Sequence, residues 1–198
     1  MTKLAVDVAL LPPEDIMNLI IELNHKFGSI SRMNNKNNFP HITLAMGVIE
    51  DSQIELVNKR LKKICSDFNP LNLKITELSY IITPQGNKSW QCDVKLTDEL
   101  RRLHRAIMDG LADIFTYDVD ISMFNQDEKV DPISRIWIEN FAKNHQKPED
   151  FHAHFSIKCH NDVKFDDFPV KFTVSRVVLC HLGNYCTCRT KLGEIGLE

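Results

Sequence analysis

Apolar and polar residues follow one another along this chain in two periods, and the changes of period lay out its elements. Residues 3–11 (KLAVDVALL) are a nearly unbroken apolar run closed by Pro12 and Pro13, which predicts a buried strand. Ile16, Leu19, Ile20, Leu23 and Phe27 then recur at spacings of three and four, the mark of one helix face. An Asn-rich loop at 32–38 leads into the apolar run FPHITLAMGVI. Ser52 and Glu55 make a capping-box pattern ahead of a stripe of Ile54, Val57, Leu61, Ile64 and Phe68. Segments 71–82 and 89–96 read as strands of a hairpin turning through PQGN. Leu100, Leu103, Ile107, Leu111 and Ile114 predict a third helix with Thr97 or Asp98 as its N-cap. The polar stretch 117–133 suits a loop between lobes, and Ile133, Ile136, Trp137 and Phe141 a short helix after it. Strands are expected at 151–159, 172–182 and 185–195, the last two connected by Gly183 and Asn184.

About seven strands and four helices with hairpin neighbours favour an α+β fold with antiparallel sheets over a doubly wound parallel one. No low-complexity tract or Pro/Gly linker divides the chain, so residues 1–198 are expected to form a single two-lobed domain.

One pattern occurs twice. Pro40-His41-Ile42-Thr43-Leu44 and Ala153-His154-Phe155-Ser156-Ile157 share the order small or Pro, His, apolar, hydroxyl, apolar. Alternate residues of a strand face the same side. His41 therefore points with Thr43, and His154 with Ser156, while their apolar neighbours point into the core. A histidine in a strand otherwise built for burial needs a reason, because it titrates near neutrality and tolerates unsatisfied burial badly. Facing one cleft, the two strands would bring together two imidazoles and two hydroxyls. One neutral imidazole could then take a proton from an attacking water or hydroxyl while the other, protonated, gives one to the leaving oxygen. The hydroxyls would hydrogen-bond the non-bridging phosphate oxygens. This chemistry needs no metal or other cofactor.

Paired H-x-[ST]-hydrophobic motifs half a chain apart, in about 200 residues, resemble the 2H phosphoesterase superfamily, with its 2′-5′ RNA ligase-like and cyclic phosphodiesterase-like members. The resemblance covers most of the chain. It implies a pseudo-two-fold α+β fold around a central cleft and metal-independent hydrolysis or ligation at 2′,3′-cyclic or 2′,5′-linked phosphates. Carried over, His41 and His154 become the general acid–base pair and Thr43 and Ser156 the phosphate donors. The repeat is imperfect, with Pro40 against Ala153 and Thr43 against Ser156. Lys158 follows on the second strand as either a phosphate contact or a solvated lysine.

Charge narrows the substrate. A formal net charge of −3 lacks the basic surplus that gripping long nucleic acid requires. A small nucleotide or a short RNA end held in a pocket is the expected partner; the oligomeric state is left open. No stretch has the roughly 18–20 apolar residues of a membrane span, and the N-terminal run is too broken for a signal peptide. A cytoplasmic protein with six reduced cysteines is the expectation.

Other features compete for attention. His152 lies on the same strand face as His154, so a metal site, a substrate contact and a merely polar residue all stay open. Cys180-His181 and Cys186-x-Cys188 read more easily as buried small hydrophobes than as zinc ligands. His104 is expected to be structural. Trp137, Tyr80 and Tyr185 are candidates for stacking on a base. Two further readings of the whole remain: a nucleotide- or RNA-binding module without turnover, and a metallohydrolase using His152 and His154.

Overall fold

A computed structural model describes residues 2–28, 33–83, 86–145, 150–157, 159, 164–165 and 167–198. Its elements are β1 (Lys3–Leu11), α1 (Glu14–Lys26), β2 (Ile42–Glu50), α2 (Ile54–Cys65), β3 (Leu71–Ile82), β4 (Lys88–Val94) and α3 (Asp98–Leu111). There follow α4 (Pro132–Glu139), α5 (Phe141–Asn144), β5 (His154–Ser156), β6 (Val170–Val174), β7 (Arg176–Leu182) and β8 (Cys188–Gly196). Among the described residues the strands form two four-stranded antiparallel sheets, β2-β1-β7-β8 and β5-β4-β3-β6. This is the expected α+β class. Each sheet carries one histidine motif on an edge strand, β2 or β5, beside an inner strand, β1 or β4.

Burial explains the elements. β1 is buried from Ala5 to Leu11, Asp7 included. One hydrophobic cluster runs through both sheets, from Val6 and Leu44 to Cys92 and Phe155. On α3 the buried residues Leu100, Leu103, His104, Ile107 and Leu111 form one face, which packs against α2 and β2. Thr97 is its N-cap, the Oγ1 accepting from Leu100 N at 3.2 Å. α4 begins with Pro132, whose missing N–H costs nothing there, after Asp131 caps Ile133 N at 2.9 Å.

The structure departs from the sequence pattern in five places. Among the described residues the strand expected at 151–159 is confined to His154–Ser156. The capping box before α2 is Glu50 with Gln53, not Ser52 with Glu55, and a 3₁₀ turn at Asp51–Gln53 precedes the helix. The apolar run 172–182 is two strands. It breaks at Ser175, and β6 pairs with β3 while β7 pairs with β1 in the other sheet. Strand period alone cannot show this change, since an apolar run reads the same whichever sheet it joins. The strand expected at 185–195 starts at Cys188, because Asn184–Cys186 form a turn with Tyr185 and Cys186 at φ of 55° and 52°. The stretch 117–133 is docked, not free. Phe124 is buried, and Asn125 N donates to Leu182 O at 2.8 Å. No described helix is long and apolar enough to cross a membrane.

Candidate active site

The alternation read from the two motifs holds in three dimensions. Ile42 and Leu44 are buried on one side of β2, as are Phe155 and Ile157 on the second strand. His41, Thr43, His154 and Ser156 are half-buried and line one cavity of about 440 Å³. Two edge strands from different sheets thus present their polar faces to a shared space.

Both imidazoles are pinned in the same way. His41 Nδ1 lies 2.7 Å from the carbonyl oxygen of Phe39, and His154 Nδ1 lies 3.0 Å from that of His152. A carbonyl oxygen only accepts, so Nδ1 carries the hydrogen in each ring. Nε2 is then the ring position open to gaining or losing a proton.

Sequence reasoning missed Asp7. It lies on β1, is wholly buried, and accepts the Thr43 hydroxyl at 2.7 Å through Oδ2. The same oxygen is 3.5 Å from His41 Nε2. A lone carboxylate inside an otherwise apolar strand was the available signal, since buried charge persists only where it is paired. In this arrangement Thr43 directs its hydroxyl proton to Asp7.

On the other wall β4 supplies Gln91, and its Gln91 and Asp93 pair across from Ser156 and His154. Asp93 Oδ1 lies 3.3 Å from His152 Nε2 and accepts from Gln91 Nε2 at 3.0 Å. Burial opposes ionisation of Asp93, but hydrogen bonds from His152, Ser79 and Gln91 outweigh it and hold its carboxyl below the usual range. His152 is pushed the other way: its hydrogen bond to Asp93 outweighs partial burial and raises its pKa. The His152 and His154 rings stack at 5.2 Å between centroids. His152 is therefore engaged by a carboxylate on the neighbouring strand. Lys158 lies outside the described residues.

The cavity's third wall is aromatic. Trp137, Phe141, His145, Phe151 and Tyr185 line it. Of the stacking candidates, Trp137 and Tyr185 face the cavity, their ring centroids 6.5 Å apart, while Tyr80 packs on Trp90 at 5.0 Å. Two successive non-glycine residues with positive φ, Tyr185 and Cys186, are costly, on the order of 1–3 kcal/mol each. Ser134 holds that turn, its Oγ accepting from Tyr185 N at 2.8 Å. Burial, with the Asp131 carboxylate, pushes the Tyr185 phenol up. Behind the wall His104 is structural, as expected. Its Nδ1 donates to Leu44 O at 2.7 Å, its ring stacks on Phe151 at 4.0 Å, and burial lowers its pKa to about 4.

Cys180, Cys186 and Cys188 are buried thiols. Among the described residues, Asp7, His41 and Cys188 form the group whose ligand atoms gather, all within 4.8 Å of one another. His152 is not part of it.

No family model and no curated protein matches the chain. Solved structures do. TT0787 of Thermus thermophilus superposes with a TM-score of 0.61 at 14% identity, covering 98% of both chains. The fold is 2H phosphoesterase-like. E. coli LigT in complex with 3′-AMP gives a TM-score of 0.56 at 14% identity, again over 98% of each chain. LigT with phosphate gives 0.51 at 13% identity, over 100% of this chain and 99% of that one. At such identities the likeness establishes a shared 2H phosphoesterase-like architecture from end to end, and the residues of the cleft must supply any statement about chemistry.

Proposed function

We propose that the chain is a two-histidine phosphodiesterase acting on small nucleotide or RNA-end phosphodiesters, of the 2′,3′-cyclic or 2′,5′-linked kind. The observation carrying this reading is the convergence of His41, Thr43, His154 and Ser156 on one cavity, both rings being held through Nδ1. One neutral Nε2 takes a proton from water as its oxygen bonds to phosphorus. The other, protonated, gives its proton to the ribose oxygen as the phosphorus–oxygen bond breaks. Ser156 offers a hydrogen bond to a non-bridging oxygen, and Thr43 does so by turning from Asp7. The volume of about 440 Å³ suits a ligand of mononucleotide size, and Trp137 and Tyr185 supply faces for a base. The complexes of LigT with 3′-AMP and with phosphate support a nucleotide phosphate as the ligand class.

The test is hydrolysis of a 2′,3′-cyclic nucleotide in the presence of EDTA. His41→Ala and His154→Ala should each lower kcat by roughly 100- to 10,000-fold with the fold intact. Turnover that survives either change would sink the mechanism.

One observation favours a second reading, a nucleotide-binding module without turnover. The buried Asp7 carboxylate accepts the Thr43 hydroxyl, which turns that donor away from a phosphate oxygen. That removes support from developing charge while leaving the aromatic faces of Trp137 and Tyr185 for a base. Calorimetry showing stoichiometric nucleotide binding, with no product after long incubation, would select it.

A further inference from the structure

We propose that Asp7, His41 and Cys188 form a binding site for a zinc-like dication that shuts the cleft by occupying His41 Nε2. The ligand atoms come from three strand regions. Asp7 lies on β1, His41 just ahead of β2, and Cys188 at the start of β8. A bridge between Phe39 and Cys188, with Phe39 N donating to Cys188 O at 3.2 Å, brings the thiol beside the first motif.

Three features make this group a metal site by its chemistry. Its atoms already crowd: His41 Nε2 and Asp7 Oδ2 are 3.5 Å apart, and all three lie within 4.8 Å of one another. Tetrahedral zinc, with bonds of about 2.0–2.3 Å, separates such donors by roughly 3.3–3.7 Å. The outer partners that orient zinc ligands are also in place. His41 Nδ1 donates to the Phe39 carbonyl, which directs Nε2 towards the ion, and the Thr43 hydroxyl donates to the Asp7 carboxylate. The charges balance as well, since one carboxylate and one thiolate neutralise a dication where Asp7 and Cys188 are wholly buried. A mixed oxygen, nitrogen and sulfur set suits zinc or cobalt over magnesium or calcium. Of the three, His41 lines the cavity, while Asp7 and Cys188 lie buried behind it. A metal there removes the lone pair that His41 needs for proton transfer, so binding and turnover compete.

The inhibitory consequence rests on the proposed phosphodiesterase activity, whereas the site itself does not, and the two are tested separately. Cobalt(II) chloride added to the full chain should give a one-to-one complex with a thiolate charge-transfer band and tetrahedral visible bands. Cys188→Ala should abolish the charge-transfer band, and Cys186→Ala should keep it. Asp7→Asn should retain the band but weaken binding by more than the roughly 10- to 100-fold typical of losing an outer partner, which also covers the case where Cys188→Ala does not fold. One equivalent of zinc chloride should abolish hydrolysis of a 2′,3′-cyclic nucleotide, and EDTA should restore it. Absence of a one-to-one cobalt complex, or a thiolate band that survives Cys188→Ala, overturns the site. A cobalt complex with turnover unchanged or raised by zinc overturns the inhibition.

Discussion

Thr43 donates its hydroxyl to Asp7 at 2.7 Å, joining residues 36 positions apart in the chain. The bond ties the first histidine motif to a buried inner strand of its sheet. It also distinguishes the two hydroxyls of the cleft, because Thr43 has a stabilising task that Ser156 does not share. Thr43→Val should cost about 1–3 kcal/mol, the penalty of removing a donor from a buried carboxylate. Ser156→Ala, at a half-buried position on a short edge strand, should cost less than about 1 kcal/mol. Urea unfolding at neutral pH checks this, and equal costs for the two would refute the distinction.

His104 makes stability depend on pH. Burial sets its folded pKa at about 4, below the ordinary 6.5. The unfolded chain therefore takes up this proton first. The stabilisation from neutral His104 is complete above roughly pH 6.5 and is lost as the pH falls towards 4, amounting to on the order of 3 kcal/mol. Chemical unfolding at pH 5 and pH 7 should show the slope, and His104→Gln should flatten it. A wild-type slope unchanged by that substitution would rule out His104 as its source.

The Asp93–His152 pair should act in the opposite direction on its histidine. The raised His152 pKa and the lowered Asp93 pKa place the pair's contribution above the unfolded carboxyl range. It is lost as the pH rises through the folded His152 value. His152 is half-exposed, so the gain is small after screening by solvent. Asp93→Asn should lower the His152 pKa in an NMR titration of its ring protons. A titration curve that does not move would show that Asp93 is not the cause.

Gly47 sits on β2 against the segment that follows α3, where a Cβ would come within 2.7 Å of the Phe115 ring. Gly47→Ala should destabilise by about 1–3 kcal/mol through overpacking. Combining it with Phe115→Leu should recover part of the loss, as a double-mutant cycle in thermal or urea unfolding would show.

The sequence by itself determined the parts of this protein that depend on local period. Alternation placed His41 with Thr43 and His154 with Ser156 on polar strand faces, because a strand repeats every two residues and the core selects one side. The helical stripes of α1, α2 and α3 were equally legible, and so was the antiparallel α+β class. The cap of α3 was readable to Thr97 or Asp98, of which the structure uses Thr97, whereas the cap of α2 was not, since a 3₁₀ turn moved the box back to Glu50 and Gln53. What depends on partners distant in sequence came only from the tertiary structure. Asp7 looked like an interruption of an apolar strand until β1 lay beside β2. Cys188 looked like a small hydrophobe until its bridge to Phe39 brought it within reach of His41. The break at Ser175 sends one apolar run into two sheets, and that choice is made by which strand edge each half can pair with. Backbone pairing and the partner of a buried charge are settled between segments, so a local pattern can flag Asp7 but cannot name what it pairs with.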